Sequence, residues 1–246
     1  MADRKAVVIE TDKLESKPKY GIVGLPDVGL VGSISAGYLV SSLKAKEIAY
    51  VDSDALPPVM VLHESVPKET TRLFSSGDNV ILLAEIPLPP SLVPEVIRTA
   101  LLWLKSNGVK EIFGVGGVPA PDRAELEKPG VFVVSTSPEK RKKLVDLQMN
   151  LLEEGVITGP FAYLMRESIR AGIPCTMILG QAYQELPDPE ASVEVLDSLK
   201  KVGGPSVDVS SLTKMASEIK IRSKELIQKG MQQEEDKGVN VPMMYG

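Results

Sequence analysis

Apolar positions along the chain follow two alternating rhythms. Short runs rich in Val, Ile and Leu, bounded by Gly, Pro or Asp, predict strands over 6–10, 19–24, 46–51, 59–63, 70–74, 79–85, 111–115 (followed by the turn GGVPAP), 131–135 and 175–179. The run VILLA inside 79–85 is apolar at every position, as expected of a strand buried on both faces. Between the strands the spacing changes to three and four. It predicts helices over 30–43, 91–106, 139–147, 160–171 and 189–202, the first with Leu30, Ile34, Leu39, Val40 and Leu43 on or near its apolar stripe. Ser91 is the expected cap of the second helix, with Pro94 in its first turn and Gly108 past its end. Asp188 is the expected cap of the last, with Pro189 at the first helical position.

Strands alternating with helices predict an α/β fold: a single three-layer domain, 1–205, around a mixed or largely parallel sheet. The pattern then changes. Ser210 is the expected cap of a C-terminal helix, 206–229, with Leu212, Met215, Ile219 and Leu226 at roughly coiled-coil spacing. Residues 230–246 read as a flexible tail, a polar spacer (MQQEEDKGVN) followed by the apolar tip VPMMYG.

Composition narrows the function classes. Lys+Arg 28 against Asp+Glu 33 gives a net charge of -5, the wrong sign for a dedicated nucleic-acid binder. One Cys cannot form an internal disulfide, which predicts a reducing, cytoplasmic setting. One His and one Cys cannot supply a four-ligand structural zinc site. Aromatics are only 4%, so Val, Ile, Leu and Ala must build the core. No apolar run is long enough for a membrane span or a signal-peptide core, so a soluble intracellular protein is expected.

Candidate chemistry is sparse. Gly24-x-x-x-x-Gly29 has the first spacing of a phosphate-cradling loop, but Leu30 and Val31 stand where Lys and Ser/Thr are needed. Gly29-x-x-Gly32 is only part of a dinucleotide fingerprint. The segment therefore reads first as a tight strand-to-helix turn and second as an anion site at a helix N-terminus. His63 with Glu64 is a conceivable acid/base pair, and Ser33 or Ser35 a conceivable nucleophile, but no G-x-S-x-G elbow surrounds either serine. Asp52, Ser53 and Asp54 suit Mg²⁺ or, more simply, a turn. Cys175 at the start of an apolar strand is expected to be a buried, inert thiol. Tyr183, Glu185, Pro187, Asp188 and Pro189 read as a turn into a capped helix. No catalytic, cofactor-binding or metal-ligating residue is assigned. The tip is different: Met244, Tyr245 and Gly246 place an apolar side chain, an aromatic ring and a carboxylate in order, a set that fills a partner's pocket and meets a Lys and backbone donors.

The segments GLPDVGLVGSISAGYLV, IAYVDSDALPPVMVLHE, EIPLPP, GVKEIFGVGGVP and LPDPEAS, in that order over most of 20–200, resemble the archaeal proteasome-assembly-chaperone family. In the glycine turn, Asp27 departs from the small residue expected there. The resemblance implies a fold like that of nucleoside phosphorylases without their catalytic machinery. It further implies that Met244-Tyr245-Gly246 is the hydrophobic–Tyr–any motif that docks between α-subunits of the 20S proteasome. The family branch with that terminus is implied to assemble as homo-oligomers, for example a tetramer, and to act as an ATP-independent activator or assembly chaperone. The expected partners are thus 20S α-subunits and further copies of the chain, with no nucleic acid, membrane or cofactor. One rival reading is a small-molecule enzyme of phosphorylase, nucleosidase or ligase type using the Gly24–Gly32 turn with Asp52, Asp54 or His63. Another is a scaffold oligomerised by its terminal helix.

Overall fold

The computed structural model describes residues 6–218. Its strands are β1 (Val7–Glu10), β2 (Tyr20–Gly24), β3 (Lys46–Asp52), β4 (Val61–His63), β5 (Val66–Lys68), β6 (Thr71–Ser76), β7 (Asn79–Ala84), β8 (Glu111–Pro119), β9 (Val131–Ser135), β10 (Asn150–Leu151) and β11 (Cys175–Ala182). Its helices are α1 (Val31–Ser42), α2 (Val93–Ser106), α3 (Pro138–Asp146), α4 (Gly159–Ala171) and α5 (Pro189–Lys201). Nine strands form one sheet in the order β1-β3-β6-β7-β2-β8-β11-β9-β10, and β4 pairs with β5 as a separate hairpin. The middle of the sheet, β7-β2-β8-β11, is parallel. Antiparallel pairings carry it outward through β6, β3 and β1 on one side and β9 on the other, with β10 parallel to β9 at the far edge.

The central strands are apolar throughout because both their faces are covered. Ile22, Ile81, Phe113 and Ile178 point into the layer under α1 and α5. Their neighbours Val23, Leu82, Ile112 and Met177 point into the layer under α2 and α4. Val96, Ile97, Leu101 and Leu104 of α2 are buried, each contributing about 1.5–3 kcal/mol, which offsets part of the cost of ordering the helix. Pro94 lies in the first turn of α2, as expected, but Ser91 is not its cap. Residue Leu92 occupies that position, and no side chain caps the helix. Asp188 does cap α5, accepting from Ala191 N–H at 3.0 Å. Gly172, with φ +66°, ends α4.

Several predicted boundaries shift for one reason, close backbone packing. Of the α1 stripe expected from the large residues, Leu39 is fully buried and Ile34, Val40 and Leu43 pack at the margin of the core, but the centre of the buried face is made of smaller side chains. Val31, Gly32, Ser35, Ala36 and Leu39 face the sheet, while Leu30 is exposed. Small residues lie inward because α1 sits almost on the strands: a Cβ on Gly24 would stand 2.3 Å from Gly32 O and 2.4 Å from Ala36 Cβ. Strand β8 continues through Gly116 and Gly117, expected as a turn, because those glycines admit neighbouring atoms against the strand rather than bend it. Strands β5 and β10 were not anticipated.

Beyond 205 the chain packs back on the α1/α5 layer. Leu212 is 1% exposed and Val207 and Val209 pack beside it. Tyr38 Oη–H donates to Asp208 O at 2.7 Å. Residues 210–218 are helical. Ser210 does not cap this helix; its own N–H and hydroxyl are both taken by Asp208 Oδ1. The predicted helix past 218, with Ile219 and Leu226, and the tail 230–246 with Met244, Tyr245 and Gly246 lie outside the described residues.

Two glycines five residues apart on α1, on different faces of the helix, make opposite predictions. A Cβ on Gly32 would stand 2.5 Å from Leu25 O and 2.7 Å from Val115 O, both immobile backbone atoms, whereas one on Gly37 meets nothing within 4 Å. In urea denaturation, Gly32→Ala is expected to lose about 3 kcal/mol or more, or to prevent folding, by overpacking. Gly37→Ala should be neutral or gain about 0.5–1 kcal/mol from helix propensity.

Candidate functional site

Loops leaving the carboxyl ends of β2, β7, β8 and β11 meet at one edge of the sheet, the edge where open α/β folds bind their ligands. The loop after β2 is the glycine turn. Residues Val28–Leu30 form a single 3-10 turn, Gly29 has φ +66° and Leu30 has φ +51°. Asp27 holds it in place. Gly32 N–H, in the first turn of α1, donates to Asp27 Oδ1 at 2.9 Å, and Gly117 N–H of β8 donates to Oδ2. The donors that would receive a phosphate at this helix N-terminus are thus engaged by the chain's own carboxylate, whose charge also opposes an anion. The segment is a tight packing turn, as its glycine spacing suggests. Burial pushes the Asp27 carboxyl up to about 7, against the lowering effect of the backbone N–H groups of Gly32, Gly117 and Asp27 itself.

Asp27 opens onto a cavity of about 240 Å³ between the β8 end and the start of α4, lined by Val28, Leu152, Ile157, Pro160, Phe161 and Leu179 among others. Gly116 makes the approach possible: Asp27 Oδ2 lies 2.5 Å and the Phe161 ring 2.3 Å from where its Cβ would stand.

A second set of charges lies on the other side of the β8 end. Arg123 is 1% exposed. Its Nε donates to Asp188 Oδ2 at 2.7 Å, and its Nη2 donates to Asp188 Oδ1 at 3.1 Å and to Glu190 Oε2 at 2.7 Å. Its guanidinium lies 4.9 Å from the Tyr183 ring centroid. Asp188 N–H donates to Gly29 O, tying this cluster to the glycine turn. The segment read only as a turn and cap is therefore also the anchor of a buried ion pair. Arg123, which the sequence pattern did not single out, is its other half; an isolated Arg in the Pro-rich stretch PAPDR was the available signal.

The remaining candidates do not converge. His63 Nε2 lies 2.8 Å from Glu85 Oε1 and 2.9 Å from Arg72 Nη2, so its partner is Glu85 rather than Glu64. Arg72 also bonds Glu47 and Glu85, and Lys68 bonds Glu47, fastening the β4–β5 hairpin to the sheet. Ser33 Oγ–H donates to Ala84 O at 3.0 Å, and Ser35 is fully buried. Cys175 is buried and its thiol is pushed up to about 12 by that burial, an inert state at neutral pH. Asp52 ends β3, Ser53 is buried and Asp54 is exposed. Among the described residues no group of three or more His, Cys, Asp or Glu side chains is placed to hold a metal ion, and no helix is long and apolar enough to cross a membrane.

Comparison with known proteins gives a consistent family. A model of the PAC2 family matches residues 21–227. The crystal structure of PbaA from Pyrococcus furiosus, in its monoclinic form, is that of an archaeal homolog of proteasome-assembly chaperone. It is 29% identical and superposes with a TM-score of 0.82 over 94% of this chain and 96% of that one. PbaB of the same organism, an archaeal proteasome activator, has a TM-score of 0.79 at 22% identity, over 93% of this chain and 99% of that one, a likeness of fold. An uncharacterized protein of Methanocaldococcus jannaschii is 24% identical over 218 residues, 89% of each chain.

Two predictions follow from the charges at this edge. Folded Asp27 retains its proton to about pH 7, while in the unfolded chain it loses it near the ordinary aspartate value of 3.8, so stability attributable to it falls as pH rises between these values. Glu167 acts in the opposite sense. Burial tends to raise it, but the bond and charge of Arg98, with the charge of Arg170, hold it below the usual carboxylate range, so its contribution is lost only on acidification. Urea titrations should show that Asp27→Asn removes a decline of about 2–3 kcal/mol between pH 4.5 and 8 that the wild type shows, allowing for water at the cavity mouth. Parallel pH profiles for the two proteins would contradict the assignment. Arg123→Ala, which strands Asp188 in the interior, should cost about 3–5 kcal/mol in the same measurement at pH 7.

Proposed function

The chain belongs to the PAC2 family, and we propose that it is a proteasome-binding factor, not an enzyme, that docks C-terminal tails into the α-ring of the 20S particle. The observation that carries this reading is the match to PbaA, a homolog of proteasome-assembly chaperone, over 94% of this chain at 29% identity. The residue order Met244-Tyr245-Gly246 at the end of a polar spacer supplies the docking chemistry. The state of the carboxyl edge supports a non-enzymatic body, since its Asp, Arg and Ser side chains are largely engaged with one another or with backbone.

Residues 230–246, fully extended, reach at most roughly 55–60 Å, enough to cross from a folded body to a pocket on a partner's surface. In that pocket the Met244 and Tyr245 side chains would be desolvated while the Gly246 carboxylate meets a Lys and backbone N–H groups. One tail binds weakly, because ordering a flexible segment costs free energy. Several tails on one homo-oligomer raise the affinity through effective concentration. If the open-gate particle binds the tips better than the closed one, docking shifts the population toward the open gate without ATP, which is activation. Equal affinity for both would leave the same contacts serving assembly.

The test compares peptidase stimulation and pull-down of a cognate 20S particle by the intact chain, by Tyr245→Ala, by a chain lacking its last three residues, and by a chain extended past Gly246. The intact chain should bind, and each variant should lose at least about tenfold in affinity, the worth of one charge-assisted bond or a buried ring. Binding that survives removal of the tip overturns the tail mechanism. Failure of the intact chain to bind overturns the partner.

A further inference from the structure

We propose that the cavity beside Asp27 is a binding site for a small organic monocation, a primary ammonium carried on a short apolar body. The inference concerns the folded body alone and does not depend on the tail. It begins with an imbalance of charge. Asp27 is the ionisable side chain in the lining of this cavity, and the rest of the wall is almost wholly apolar. Among the described residues its polar partners are backbone N–H groups, with no Lys, Arg or His facing it. The two buried carboxylates among the described residues are compensated: Asp188 has Arg123, and Glu167 has Arg98, Arg166 and Arg170. Half-buried Asp27 has no such cation, and it opens onto a void.

The geometry suits a cation. The Asp27 carboxylate offers about four acceptor positions, and the backbone N–H groups of Gly32, Gly117 and Asp27 itself occupy three, which leaves one for a ligand. The Phe161 ring shares the space over Gly116 with Oδ2, so an ammonium reaching the carboxylate has an apolar ring beside it. Val28, Leu152, Ile157, Pro160 and Leu179 complete a sleeve for an apolar stem. At about 240 Å³ the cavity is below the roughly 300–1,000 Å³ of drug-sized sites, which restricts the ligand to a small amine. An anion is repelled, and a neutral alcohol gains only an uncharged hydrogen bond. The location outside the carboxyl ends of parallel strands is where this class of sheet places ligands.

Phenethylamine is a fitting probe, with 2-phenylethanol as its neutral analogue and 3-phenylpropionate as its anionic one. Each is titrated into the full chain and followed by amide chemical shifts and calorimetry at pH 8.5 and 5.5. Phenethylamine should bind at pH 8.5 with shifts centred on Gly117 and on residues 156–161, at least about tenfold more tightly than the alcohol. The anion should not bind. At pH 5.5 the amine stays charged while Asp27 holds its proton, so the affinity should fall about tenfold. Asp27→Asn should erase the preference for amine over alcohol. Because Asp27 also ties the turn, Thr158→Trp provides a second variant: Thr158 lines the cavity and makes no side-chain capping bond, so the helix loses little. That variant should remove amine binding by filling the mouth. Equal binding of amine and alcohol, undiminished amine binding in either variant, shifts elsewhere on the body, or no binding up to about 10 mM would each overturn the proposal.

Discussion

The first turn of α1 lies so close to the sheet that only hydrogen atoms fit between Gly24, Gly32 and the backbone opposite. Much of the architecture at the carboxyl edge depends on that contact. A helix brought this near its strand needs an abrupt turn, and the chain makes it with Gly29 and Leu30 both at positive φ. For Leu30 the left-handed backbone costs roughly 1–2 kcal/mol. Asp27 offsets it by accepting from the helix and from β8 at once, and Asp188 N–H adds a bond to Gly29 O from the start of α5, in the same layer as α1. Removing any one of these would leave a strained turn without its restraints.

The polar groups around this edge act more as locators than as a source of stability. The Arg123–Asp188–Glu190 cluster sits in the interior, where the desolvation of the charges nearly cancels their attraction. What the cluster supplies is uniqueness: a forked donor meeting two carboxylates admits one arrangement of the loops after β8 and β11. The hairpin β4–β5 is held on the same principle. Two strands of three residues are marginal alone, and the contacts of His63 and Lys68 with Glu85 and Glu47 attach them to the sheet. Its other face carries Leu62, 68% exposed, which gains nothing from the fold.

Much of this was legible in the residue pattern, and the misses share a cause. The apolar runs identified the core strands because a strand buried on both faces has nowhere to put a polar side chain, as in the VILLA run of β7. Pro189 and Asp188 announced α5 through capping chemistry that is local in sequence. By contrast, Gly116 and Gly117 read as a turn because glycine punctuates chains more often than it admits a distant side chain to a strand. The reason they are glycine lies at Asp27, Val28 and Phe161, remote in sequence. Arg123 was passed over for the same reason: its partners are 65 and 67 residues away. His63 was noticed but paired wrongly, since the adjacent Glu64 was visible and Glu85 was not. The lone Asp27 looked like a departure from pattern, and its meaning too required the fold.

That departure has a consequence for how the fold is used. In α/β proteins that bind phosphate, the donors of a helix N-terminus and the glycine turn before it face an anion from solution. Here the same place in the fold holds a carboxylate within the chain, so the donors are satisfied internally and the local charge is reversed. A body arranged this way has exchanged an anion site for a rigid joint. The Asp27 carboxyl, facing a largely apolar void with no cation beside it, is a feature of the joint that its structural role does not require.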